Sequence, residues 1–191
     1  ADPTTGAIET VNAGSLTIGD SDTAVEITGD GLRLLDPTGS LAFTTLDIFN
    51  SGGTGLLVDT KGGGTTFDLS TGSASTIVTI GGPAMFLDPL DVNLAFDLVQ
   101  SDDSATNGIF IDTTTGLIDI AATTINESVM PSIVIQNTPA PLSINFGTTV
   151  IDSTISDVFT DNVDTTIGNG ANLSIDFDTL PLLRMWTSQI D

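Results

Sequence analysis

Apolar and polar residues alternate along this chain in short segments such as "LAFTTLDIF", "TIVTI", "GIFID" and "SIVIQ", each bounded by clusters of Gly, Asp, Asn, Pro and Thr. Period-two alternation predicts strands with one buried face. No stretch carries the i, i+3, i+4, i+7 spacing of a helix, except weakly at the C-terminus. The segments also recur. Anchor triplets beginning at Leu16, Leu41, Thr65, Leu94, Ile118, Ile144 and Ile175 are 25, 24, 29, 24, 26 and 31 residues apart. Short strands repeating at that period predict a right-handed parallel β-helix of about seven coils, in which equivalent positions stack on successive coils. Residues 1–191 are read as a single domain of this kind. A β-sandwich is the alternative, because it too has short strands and evenly spaced turns, but it does not need one motif at one place in every unit.

Stacking turns the alignment into columns. The third anchor position gives Phe43, Phe67, Phe96, Ile120, Phe146 and Phe177 as an internal ladder. Leu41, Thr65, Leu94, Ile118, Ile144 and Ile175 face inward beside it, and Ala42, Thr66, Ala95, Asp119, Asn145 and Asp176 face outward between the two. Aligning "LRLLDP", "GLLVDT", "AMFLDP", "GIFIDT" and "SIVIQN" sets Leu35, Val58, Leu87, Ile111 and Ile135 in a second inward column. Leu34, Leu57, Phe86, Phe110 and Val134 then form an outward apolar stripe. Such a stripe sits at a corner where both columns are buried, lies under a loop such as 157–170, or marks an association face. The association reading predicts a homo-oligomer, a fibre or surface layer, or lateral packing of neighbouring copies. "LPLLRMWTSQ" breaks the repeat, so residues 178–191 are expected to cap the last coil.

Charge narrows the partners. The chain holds 25 acidic residues against Arg33, Lys61 and Arg184, a net charge of -22. Nucleic acid and anionic lipid are held mainly through Lys and Arg, so a nucleic-acid partner is excluded. No apolar run is long enough to span a bilayer, so no membrane insertion is expected. The acid is almost all Asp, a turn former, which fits many short strands. With no Cys and no His, disulfides and Cys/His metal or nucleophile chemistry are excluded.

The remaining chemistry lies with the carboxylates. Asp36, Asp59, Asp88 and Asp112 stand beside the stripe, one per coil. An Asp at a strand end before Pro or Thr can accept turn N–H groups, and this is the structural reading. Calcium bridging by the four is the alternative, although the 1, 3, 5, 12 calcium loop and the glycine-rich nonapeptide of calcium-binding β-rolls are both absent. Glycoside hydrolysis needs two carboxylates at a set separation. "TDN" and "DD" resemble fragments of the polygalacturonase signature, but its His and Arg-x-Lys elements have no counterpart here, and the three cations are too scattered for a uronate lyase. No catalytic residue and no cofactor is therefore expected. Paired threonines such as Thr123 and Thr124, or Thr148 and Thr149, raise ice binding, but their register wanders relative to the Phe ladder.

"GGTGLLVDT", "GGPAMFLDPLDVNLAF", "NGIFIDTTTGLIDI" and "INFGTTVIDST" together cover much of the chain. They resemble the repetitive β-helix regions of large bacterial surface and secreted proteins, such as autotransporter and two-partner-secretion adhesin passengers. The resemblance implies an extracellular or cell-surface rod that spaces, adheres or assembles. Its partners would be copies of itself or glycans, and it brings no catalytic residues.

Overall fold

In the computed structural model, which describes residues 10–20, 27–60, 67–137, 142–152, 158–161, 165–169 and 173–176, the chain is an all-β parallel solenoid of about five turns. Its strands are β1 (Thr10–Ile18), β2 (Ile27–Gly29), β3 (Leu32–Leu35), β4 (Gly39–Gly52), β5 (Leu56–Asp59), β6 (Phe67–Thr71), β7 (Ser75–Ile80) and β8 (Met85–Asp88). They continue as β9 (Asp91–Asp102), β10 (Ile109–Asp112), β11 (Thr115–Asn126), β12 (Ile133–Gln136), β13 (Leu142–Asp152), β14 (Val158–Asp161), β15 (Thr165–Asn169) and β16 (Leu173–Asp176). Six short strands form one sheet in the order β14-β12-β10-β8-β5-β3, and the other ten form a second sheet along β1-β4-β6-β9-β11-β13-β15. The registered strand pairs in both sheets are parallel, such as β9 with β11 and β8 with β10. That excludes the antiparallel sandwich.

The long strands of the second sheet each turn a corner, and their side chains show where. Along β9 the buried residues are Val92, Leu94 and Phe96, then Val99 and Ser101, so the inward parity flips across Asp97 and Leu98. The same flip falls between Ile120 and Thr123 in β11 and between Phe146 and Thr149 in β13. Two successive residues facing away from the core bend the strand. At this corner Gly147 leaves no room for a side chain, since a Cβ would stand 2.3 Å from the Ala121 carbonyl oxygen.

The core is a set of in-register columns between the sheets. Leu94, Ile118 and Ile144 form one, Phe96, Ile120 and Phe146 another, and Met85, Ile109 and Ile133 a third on the six-stranded sheet. Near the end of the long strands the interior column changes from polar to apolar: Asn50, Thr79, Ser101, Ile125, Ile151. Its polar members are satisfied. The Asn50 amide donates to the carbonyls of Gly29 and Gly53, Thr79 Oγ1 donates to Asn50 Oδ1 at 2.9 Å, and Ser101 Oγ donates to the Gly82 carbonyl. Satisfied in this way, a buried polar ladder is compatible with a stable core.

Stacking departs from the expected Phe ladder. Only Phe96, Ile120 and Phe146 share a column, whereas Phe43 pairs with Thr71 and Phe67 with Gly39. The reason is the longer connection before β6: four more residues separate Asp59 from Phe67 than separate Leu35 from Gly39, so that Leu69, not Thr65, lies opposite Leu41. Ile175 stacks on Ile151, beyond the corner, and not on Ile144. The described turns number about five, not the seven expected. Phe177, Thr65, Thr66 and the proposed cap at 178–191 lie outside the described residues.

Candidate functional site

Strands β5, β8 and β10 carry the same four-residue rhythm: Leu-Leu-Val-Asp, Met-Phe-Leu-Asp and Ile-Phe-Ile-Asp. First and third residues are buried, second and fourth half-buried. Leu57, Phe86 and Phe110 therefore share the outer face with Asp59, Asp88 and Asp112, two residues further along each strand. Registration is direct, Leu57 beside Phe86 and Phe86 beside Phe110. The Phe86 and Phe110 rings lie 11° from parallel with centroids 4.8 Å apart. One face of each ring is therefore turned to the other. This is a stacked pair of the kind that adds to coil cohesion.

The stripe differs from its expected composition at both ends. Leu34 pairs with Val58 and packs against the core, and Arg33 occupies the outward place beside Leu57. Leu35, expected inside, is 42% exposed. Two adjacent leucines make either parity chemically acceptable, and pairing settles it in favour of Leu32 and Leu34. The shift moves Asp36 out of the carboxylate column as well: Leu35 lies beside Asp59, and Asp36 takes a turn position with φ of 47°. At the other end Val134 is in register with Phe110 but is only 6% exposed, so the half-exposed part of the stripe is Leu57, Phe86 and Phe110.

Three carboxylates on successive rungs interact unfavourably. Burial, then the charges of Asp112 and Asp59, push the Asp88 carboxyl from its ordinary range up to about 6. Asp112 is tied down differently: it accepts hydrogen bonds from the Gln136 amide at 2.7 Å, the Asn137 amide at 3.2 Å and Thr113 Oγ1 at 2.7 Å. Among the described residues these acids are not gathered into a group of three or more that could hold a metal ion.

The Gln136–Asp112 contact belongs to a wider pattern, unnoticed in the sequence. The Asn126 amide donates to Asp102 at 2.6 Å and the Asn145 amide to Asp119 at 2.8 Å, so amides of one coil repeatedly clip onto carboxylates of the coil before. Two of these pairs are separated by 24 residues. A search for Asp followed by Asn or Gln at the repeat distance would have found them. The threonine pairs are split by the fold: Thr123 and Thr149 point inward at 1% exposure, while Thr148 is exposed, so the pair at 148 and 149 does not lie on one outward face.

Compared with protein-family models, curated proteins and solved structures, the chain matches none. The likeness to bacterial surface passengers therefore stands on the quoted repeats and the solenoid fold alone.

Proposed function

We propose that this chain is a non-catalytic structural or adhesive solenoid module that acts outside the cell or at its surface, engaging other molecules through the outer face of its six-stranded sheet. The observation that carries this reading is the use made of the polar side chains. Asp102, Asp112 and Asp119, the kind of group a hydrolase would need free, accept amides from the next coil. Side chains spent on coil-to-coil cohesion build a rod whose length and faces are its product.

Self-association through the same face is a second reading, favoured by the half-exposed column of Leu57, Phe86 and Phe110. Incubation of the purified chain with neutral and acidic polysaccharides, alongside electron microscopy, tests the proposal. Discrete rods or ordered assemblies with no release of reducing ends are expected. Polysaccharide cleavage that is lost on Asp119→Asn or Asp102→Asn would overturn it.

A further inference from the structure

The outer face of β5, β8 and β10 is a grid of three apolar side chains beside three acidic ones. Parallel strands stand about 4.8 Å apart, so Asp59 and Asp112 are separated by about 10 Å along the rod axis. What would lie on such a grid follows from its chemistry. A sugar ring stacks on the face of an aromatic side chain, but Phe86 and Phe110 each have one face taken up by the other. A second copy of this chain would bring its own carboxylate column against this one, within a net charge of -22 on each. A segment that is both apolar and cationic meets neither objection.

We propose that this face docks a basic, amphipathic polypeptide segment of a partner, its apolar side chains lying on Leu57, Phe86 and Phe110 while its Lys or Arg side chains reach Asp59, Asp88 and Asp112. The inference rests on the reading of the chain as an adhesive or structural rod. Charge complementarity is its main support, because Asp59 and Asp112 already act unfavourably on the partly buried Asp88 and an incoming cation reverses the sign of that interaction. Spacing is compatible too: along a helix, positions i, i+3 or i+4, and i+7 advance over about 10.5 Å, close to the reach of the three rungs. Beyond Phe110 in the same register Val134 is only 6% exposed, and Arg33 stands at the opposite end beside Leu57.

The test uses a fluorescent Leu/Lys peptide of about 14 residues with helical periodicity, titrated by anisotropy into the full chain at low and physiological salt. Three variants are compared: Asp59→Asn/Asp88→Asn/Asp112→Asn; Phe86→Ser/Phe110→Ser; and Asp68→Asn/Asp91→Asn/Asp97→Asn, which removes the same charge from exposed positions on the ten-stranded sheet. Circular dichroism melts establish that each variant is folded. The first two should weaken binding by about tenfold and the third by less than about threefold. Equal loss from both Asp triples would mean non-specific attraction to a polyanion and overturn the proposal. So would the absence of peptide binding, or rods that associate with one another until Phe86→Ser/Phe110→Ser separates them. None of these outcomes bears on polysaccharide cleavage, so the occupant of the face and the non-catalytic reading fail separately.

Discussion

Asp88→Asn is expected to stabilise the protein at neutral pH and to remove a defined part of its pH dependence. Two routes give the magnitude. A pair of charges about 4 to 5 Å apart in water repel by about 1 kcal/mol, and Asp88 has a carboxylate neighbour in Asp59 on one side and Asp112 on the other. Alternatively, a carboxyl moved from 3.8 to about 6 corresponds to about 3 kcal/mol if nothing screens it. The group is half exposed, so solvent screening reduces that to about 1 to 2 kcal/mol, and the two routes agree. The folded pKa lies above the unfolded one, so the folded state binds the extra proton between pH 3.8 and about 6. Stability from this site is then fully present below the lower value and is lost as pH rises through the upper one. Asparagine abolishes the loss, and its amide can donate to a neighbouring carboxylate as Gln136 does to Asp112. Urea titrations followed by circular dichroism at several values between pH 4 and 7.5 should show the variant more stable by about 1 to 2 kcal/mol at pH 7, or about 2 to 8 °C in Tm. The advantage should vanish near pH 4. Carboxylates other than Asp59 and Asp112 affect both proteins alike, so the difference isolates Asp88 and its interaction with these two neighbours. An advantage that persists unchanged at low pH, or a variant less stable than the parent at pH 7, would refute the reasoning.

Other expectations concern the interior. Thr123 and Thr149 continue an inward column of Ile48, Ile77 and Val99, and their hydroxyls have no hydrogen-bond partner among the described residues. Thr123→Val/Thr149→Val should therefore raise stability by about 1 to 3 kcal/mol, measured by urea titration; a loss of stability would mean the hydroxyls are solvated. Phe96→Ala, at a side chain 2% exposed, should cost about 3 to 5 kcal/mol through lost burial and the cavity left behind, and a change below about 1 kcal/mol would place Phe96 outside the core. Asn50→Ala leaves the Gly29 and Gly53 carbonyls and the Thr79 hydroxyl without their buried partner, so a loss of at least about 2 kcal/mol is expected in the same assay.

Period-two alternation and a recurring turn made the parallel solenoid legible, because the physics of stacking demands both. Column assignments survived where the repeat distance is constant: Leu94, Ile118 and Ile144 lie in one column, as do Val58, Leu87, Ile111 and Ile135. They failed where a loop changed length or where the local pattern was degenerate. The connection from Asp59 to Phe67 is four residues longer than that from Leu35 to Gly39, and this displaces Phe67 from its expected column. In "LRLLDP" adjacent leucines fit either face, so Leu34 and Asp36 were each placed one position out of register. The outer face itself was half legible. Its apolar and acidic members could be read from the repeat, but the stacking of Phe86 on Phe110 and the burial of Val134 depend on side-chain packing that alternation does not encode.

Interchangeable coils are the central claim, and removing one tests it most directly. Asp103 and Glu127 occupy equivalent turns with φ of 54° and 51°, so deleting residues 103–126 joins Asp102 to Glu127 in a matched backbone conformation. Ile133 then stacks on Met85 in place of Ile109. Small-angle scattering of the deleted chain should show an unchanged cross-section and a rod shorter by about 4.8 Å, with parallel-sheet circular dichroism retained. An unfolded chain, or a particle whose cross-section changes instead of its length, would contradict the account.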